Sequence, residues 1–343
     1  MIPERFKQIT SAYPRLRVAV VGDFCLDRYL EIDPGLEEKS IETGLGVHNV
    51  VNVRSQPGAA GTVLSNLVAL GLGEIWPIGF AGEDGEGFEL VRELGRMRGV
   101  RMEAFVRTGL RRTFTYCKPL VMEKGGAPRE LNRLDSKNWT KTPAEVDREI
   151  RRRVREVGEQ IDAMIIMDQV DLAETGVLTK GVLSEVGELA QKKGKLLVLA
   201  DSRRGLSGYP AVGMKMNRAE LGMLLGRSAP EEIGAVRRAA VDLAVRTGRW
   251  VFVTLAERGL VGAGPGGEVE HLAAIPLRGP IDIVGAGDAV SANLAAALAA
   301  GGSLREAMEL ANAAASVVIH QVGTTGTASV AELEELMRPG LRG

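Results

Sequence analysis

The stretch "DIVGAGDAVSANLAAALAAG", residues 282–301, decides how this chain is read. Gly285, Ala286 and Gly287 stand just before an alanine-rich run, so the sequence predicts a helix beginning near Asp288. The first N–H groups of such a helix lack partners and point outward. Small residues let a phosphate approach them closely, and the positive end of the helix dipole favours its charge. An aspartate in that mouth repels phosphate. On the residues alone Asp288 has two readings: a carboxylate stabilised by the dipole, or a general base for a hydroxyl that attacks the phosphate.

Working outward, short runs rich in branched apolar residues alternate with longer segments of helical period. They are "RVAVVGD" (17–23), "IWPIGFAG" (75–82), "AMIIMD" (163–168), "LLVLAD" (196–201) and "WVFVTLA" (250–256). This rhythm of βα units predicts a mostly parallel sheet covered on both faces. Asp23, Asp168, Asp201 and Thr254 fall at or near the ends of four runs, where open α/β sheets gather their ligands; each could equally serve as a cap or turn residue.

Two stretches break the rhythm: residues 28–57, with "VHNVVNVRS", and residues 111–134, "RRTFTYCKPLVMEKGGAPRELNRL". Both read as strands or hairpins inserted between core units. Neither can build a core of its own, so they are expected to form a small sheet that leans over one domain spanning 1–343 as a lid.

The chain has 343 residues, with 43 Lys and Arg against 44 Asp and Glu and a net charge of −1. No basic field marks a nucleic-acid or membrane surface, which predicts a small-molecule partner. Cys25, Cys117 and three histidines provide neither a disulfide framework nor a zinc set, and a reducing cytoplasm is expected. The first residues lack a signal-peptide core, and no apolar stretch approaches the ~20 residues of a membrane span. No G-x-x-x-x-G-K-[ST] sequence occurs, so a P-loop lysine must be replaced by something else. "GAGPGG" (262–267) fits G-x-G-x-x-G, but the strand-like "EVEHLAAI" after it predicts a hairpin turn instead.

"DIVGAGDAV" resembles the D-T-x-G-A-G-D signature of the ribokinase-like, or PfkB, carbohydrate kinases. Supporting matches run in the family's order across the chain: "VVGDFCLDRY", "PGAAGTVLSNLVALG", "GFAGEDGEG", "MKMNRAEL", "TLAERGL" and "ANAAASVVIHQVGTTGT". Within the family, "GDFCLDRY", "LNRLD" and "ANAAASVV" are most similar to the heptose 7-phosphate kinase domain of ADP-heptose synthesis.

The resemblance implies a three-layer α/β sandwich with a β lid, and ATP-dependent phosphorylation of a hydroxyl on a sugar or sugar phosphate. It makes Asp288 the base and the Gly285, Ala286 and Gly287 amides an anion hole. It assigns Asn217 and Glu220 to Mg²⁺ and phosphate, the Mg²⁺ being held indirectly. It places Thr254, Gly259 and Asn312 beside the nucleotide, and Asp282, with carbonyls of "QVGTTGT", at a K⁺ site. Asp23, Asp27 and Gly58 fall at the acceptor.

There are departures. The family's G-G-A-A-N reads here Pro57 to Gly61, with Gly61 in place of a sugar-binding asparagine. "MDQVDLAETG" lacks the lysine usual after that strand, and "ADSRRG" carries Arg203 and Arg204, a candidate fork for an acceptor phosphate. A nucleoside kinase of the same fold would need an aromatic slot, and only 4% of residues are aromatic. A silent nucleotide- or sugar-binding relative is the other alternative, which the intact Gly-Ala-Gly-Asp argues against. Exposed apolar residues on the lid, such as Val50 and Val53, predict a homodimer.

Overall fold

The structure, a computed structural model, describes residues 1–338 apart from 124, 127 and 324. The chain runs α1 (Pro3–Thr10), β1 (Arg17–Gly22), β2 (Phe24–Ile32), the short β3 (Glu38–Lys39) and β4 (Gly46–Val47), β5 (Val50–Ala59), α2 (Ala60–Ala69), β6 (Glu74–Ile78), β7 (Phe80–Gly82), α3 (Gly85–Gly95), β8 (Val106–Thr108), β9 (Phe114–Val121) and β10 (Arg129–Glu130). It continues through α4 (Ala144–Gly158), β11 (Ala163–Asp168), α5 (Lys180–Lys192), β12 (Leu197–Ser202), β13 (Gly213–Asn217), α6 (Arg218–Leu225), α7 (Ile233–Thr247), β14 (Val251–Thr254), β15 (Leu260–Ala263), β16 (Val269–Leu272), α8 (Ala286–Ala299), α9 (Leu304–Val318) and α10 (Val330–Met337).

The main sheet has the order β6-β1-β11-β12-β13-β14-β15-β16. It is parallel as far as β14, and β15 and β16 add an antiparallel edge. Side chains alternate across it: Val18, Val20 and Ile165 enter the core shared with α2, α8 and α9, whereas Ala19, Val21 and Ile166 enter the core shared with α4, α5 and α7. Burial on both faces is why these strands read as continuous apolar runs. The ribokinase-like α/β sandwich implied by the sequence is what the chain forms. The "GAGPGG" turn closes the β15–β16 hairpin, with Gly264 N donating to Glu268 O at 2.9 Å.

β13 has no counterpart among the apolar runs read from the sequence. Lys215 interrupts it, yet that lysine is buried and its ammonium pairs with Asp201 at 2.7 Å.

β1 has β6 on one side and β11 on the other, so the direction of winding reverses there. A crevice opens at such a point, beyond the strands' carboxyl ends. After β1 the chain turns at Asp23 directly into β2, which belongs to a second sheet of order β10-β9-β2-β5. β2 pairs antiparallel with β5 and parallel with β9. This sheet takes strands from both of the stretches that break the βα rhythm. Lys124 and Ala127, within 111–134, lie outside the described residues. On β5 Val50 and Val53 are each 44% exposed, and Ile41, in the turn between β3 and β4, is fully exposed.

Candidate active site

Gly285, at φ 82°, is the residue before α8, and the helix starts at Ala286, two positions ahead of the sequence expectation. That left-handed turn suits glycine and swings the chain into the helix. Of the amides expected to form an anion hole, Ala286 N donates to Ile283 O at 3.3 Å, whereas those of Gly285 and Gly287, and that of Asp288 next to them, have no recorded acceptor among the described residues and lie beside the Asp288 carboxylate. Asp288 is raised to about 7. Burial is the first cause and nearby Asp201 and Asp27 add to it, while Lys215 and Arg203 pull it back. Those influences bring together side chains from β2, β12, β13, α8 and the loop after β12.

Lys215 sits beneath this mouth. Asp201 Oδ2 accepts from its ammonium, and the single proton of Ser291 Oγ is shared between Asp201 Oδ2 at 3.0 Å and Gly287 O at 3.1 Å. A Cβ placed on Gly287 would lie 3.0 Å from Lys215 Nζ. Burial works against the charge on Lys215, but Asp201, Asp288 and Glu220 together hold its pKa above the usual lysine value.

Two residues beyond Lys215, Asn217 and Glu220 form a capping box on α6. Asn217 Oδ1 accepts from Glu220 N at 2.9 Å, and Glu220 Oε2 accepts from Asn217 N at 2.7 Å. One oxygen of Glu220 stays uncommitted, and burial raises its pKa. Among the described residues no cluster of three or more His, Cys, Asp or Glu could hold a metal. The donor set therefore fits a Mg²⁺ carried by phosphate and water, not a protein cage.

Thr254 lies beside Asn217 in register on β14. Gly259, at φ 89°, lets the chain pass against the Leu272 carbonyl, where a Cβ would collide. Asn312 Nδ2 donates to the neighbouring Ala273 O at 2.8 Å. Thr254, Gly259 and Asn312 thus border the same flank, with Asn312 partly spent on a structural bond. Asp282 Oδ1 accepts from Val284 N at 3.1 Å, and its own amide bonds Ile319 O. Asp282 thereby closes the loop leading to Gly285. Thr324, in "QVGTTGT", lies outside the described residues.

At the opposite end, Asp27 is buried on β2 with Lys118 at 3.7 Å. Burial raises its pKa, and Lys118 and Arg133 offset part of the rise. Gly58 packs against it: a Cβ there would stand 2.6 Å from Asp27 Oδ2. Asp23, expected among the acceptor-binding acids, is held by the backbone and still lines the pocket. Its two oxygens accept from Gln169 N at 2.9 Å and Val177 N at 2.7 Å, pinning the loop after β11. Burial first, and then Asp168, raise Asp23 to about 7.

That loop and the second sheet enclose a pocket lined by Asp23, Cys25, Phe114, Tyr116, Trp139 and Gln169, among others. Of the adjacent arginines, Arg203 is exposed and acts electrostatically on Asp288 and Tyr116. Arg204 turns away and bonds the fully buried Asp168 at 2.5 Å. Tyr209 and Ser202 complete that cluster. The proposed two-arginine fork is therefore divided.

A Cβ on Gly61 would strike Pro57 Cβ at 2.5 Å, so position 61 faces the wall. Thr62 packs beside Gly285 together with Thr325, their methyls 3.5 and 2.8 Å from where a Cβ on Gly285 would be. Sequence reasoning did not single out Thr62 or Lys215, nor did it separate Asp201 from the other strand-end residues. The lysine inside an apolar strand was the one signal that could have found Lys215.

The doubly wound, mostly parallel sheet and the second sheet beside its crevice define a ribokinase-like class of fold. The description "pfkB family carbohydrate kinase" matches residues 16–331, and the chain belongs to that family. The bifunctional protein HldE of Pelobacter propionicus is 32% identical over 329 residues, covering 94% of this chain and 64% of that protein. HldE of Bradyrhizobium sp. is 29% identical over 337 residues, covering 97% and 66%. The chain spans just under two thirds of the length of these curated relatives. Among solved structures, Arabidopsis thaliana ribokinase complexed with ribose and ATP has a TM-score of 0.67 at 19% identity, over 94% of this chain and 98% of that one. Escherichia coli phosphofructokinase-2 in complex with substrates and products has a TM-score of 0.70 at 20% identity, over the same shares. These likenesses carry the fold. Among the described residues, no helix is long and apolar enough to cross a membrane.

Proposed function

We propose that the chain transfers a phosphoryl group from ATP to a hydroxyl of a sugar phosphate, with Asp288 as the general base. The observation that carries this reading is a carboxylate raised to about 7, set among free helix amides and facing Asp27 and Arg203 across the crevice. A base poised near neutrality can accept a hydroxyl proton and later release it. In the transfer the acceptor oxygen gains the phosphoryl group, its proton passes to Asp288, and ADP is left. The Gly287 and Asp288 amides receive the charge on the phosphoryl oxygens, at a position fixed before the reaction. Mg²⁺, held through phosphate and water near Asn217 and Glu220, would neutralise the remaining charge. Asp27 accepts hydrogen bonds from acceptor hydroxyls. Arg203 answers the acceptor's own phosphate, and heptose 7-phosphate is the first such sugar to test.

The second sheet acts as a lid that excludes water from the transferring group. Its exposed Val50 and Val53, with Ile41 of the β3–β4 turn, support pairing with a second copy, which light scattering over a range of concentrations tests. K⁺ held near Asp282 would shape the loop before Gly285, so rates in K⁺ should exceed those in Na⁺.

A nucleoside acceptor is the second reading, because Phe114, Tyr116 and Trp139 line the pocket. Against it, the Tyr116 ring already carries Arg133 at 4.8 Å and Lys137 at 5.7 Å. The deciding experiment screens free sugars, sugar phosphates and nucleosides for ADP release above the background ATPase rate. Turnover confined to sugar phosphates supports the proposal. Turnover of nucleosides selects the second reading, and no acceptor-dependent release leaves a silent binding protein.

A further inference from the structure

We propose that Lys215 is a further catalytic residue, whose ammonium contacts the terminal phosphate of the bound nucleotide from beneath the α8 mouth. The chain has no P-loop lysine, yet a transferring phosphoryl group spreads negative charge over its oxygens and calls for a fixed cation. Lys215 reaches the right place from β13. Its side chain is 8% exposed, its ammonium bonds Asp201 at 2.7 Å, and it abuts Gly287, whose free amide marks the anion site.

An ammonium has three donors, and a single protein bond is recorded for this one among the described residues. Two donors remain at a site flanked by the N-termini of α6 and α8, both of which favour an anion. Asp201, itself within reach of the Ser291 hydroxyl, holds the side chain in place, so little ordering is left to the moment of reaction. The inference deepens the proposed kinase reading and rests on it only in part, because its first test needs no acceptor.

That test measures ATP and ADP affinities by calorimetry for the wild type, Lys215→Met, Lys215→Arg and the double variant Lys215→Met/Asp201→Asn. The double variant removes both buried charges together, and thermal melts report which variants fold. The expected result is that Lys215→Met weakens ATP by roughly ten- to a hundred-fold while ADP changes little. Lys215→Arg should recover part of the loss, and the double variant should behave like the single one. Where an acceptor is found, turnover of Lys215→Met should fall by roughly 10²–10³-fold.

Equal changes for ATP and ADP, or recovery of ATP affinity in the double variant, would show that Lys215 only neutralises Asp201 and overturn the inference. A wild type that prefers ATP through Lys215 but phosphorylates nothing keeps the inference and removes the kinase reading. A wild type that does not bind ATP removes both.

Discussion

The two ends of the crevice each hold an aspartate raised to about 7, and the two carboxylates do opposite things. Asp23 is enclosed, with both oxygens receiving backbone amides of the loop after β11. Asp288 has no recorded hydrogen bond to its side chain among the described residues and stands beside amides with no recorded acceptor. Burial is the first cause of the rise at both positions, so a perturbed carboxylate by itself does not mark catalysis. What separates them is where their hydrogen-bonding capacity goes. Asp23 spends it on the fold, and among the described residues that of Asp288 is left open.

The sharpest way to break this contrast is Asp288→Asn. With the proposed base gone, acceptor-dependent turnover should fall by ~10²–10⁴-fold, while ATP affinity stays level or tightens because a negative charge near phosphate has been removed. Near-normal turnover would reduce Asp288 to a helix-terminal carboxylate. The same contrast has a pH signature. A base with a value of about 7 should make turnover climb through neutrality and level off above it. Stability has the opposite sign: the folded state holds a proton that the unfolded chain releases near pH 4, so stability should fall as pH rises toward 7. Melts of wild type and Asp288→Asn across that window should converge at low pH and favour the variant at neutral pH.

The divided arginines give the next effect. Arg204→Ala strips the fully buried Asp168 of its cation and should cost about 3 kcal/mol or somewhat less, since Arg204 is itself 26% exposed. Arg203→Ala should leave the melting temperature nearly unchanged and raise the KM for a sugar phosphate. If the two swap phenotypes in melts and kinetics, the assignment of one to the wall and one to the crevice is wrong.

Asp23→Asn tests the enclosed end directly. An amide nitrogen would face a backbone N–H, so the loop after β11 should loosen at a cost of roughly 1–3 kcal/mol. Acceptor KM should then rise more than ATP KM, and equal rises would weaken the claim that Asp23 acts through that loop. The smallest effect concerns backbone strain. Ala59 and Ala256 have φ of 54° and 52°, values that glycine adopts more readily. Ala256→Gly should hold or raise stability, by up to about 1 kcal/mol, as measured by denaturant titration.

The α8 mouth was legible because its determinants are local. Gly285 to Asp288 are consecutive, and a glycine turn followed by a helix start fixes the amides whatever lies elsewhere. The central sheet was legible for a similar reason, since strands buried on both faces must be apolar throughout. β13 escaped notice because its charge balance comes from Asp201, fourteen residues away and on the next strand, which no local pattern records. The acceptor end was the least legible. Neither the commitment of Asp23 to two amides more than 140 residues downstream, nor the opposite directions of Arg203 and Arg204, leaves a mark in the sequence.

By itself, then, the sequence determined the class of fold and the glycine turn that opens α8, through periodicity and a contiguous motif whose backbone geometry is set within a few residues. Only the tertiary structure decided which charges face the crevice. That choice depends on burial and on partners brought in from other strands: Lys215 under the mouth, Arg204 drawn to Asp168, and Asp23 bonded to the loop after β11. Desolvation and pairing act through space, so a side chain's role at this site follows from what the fold sets against it.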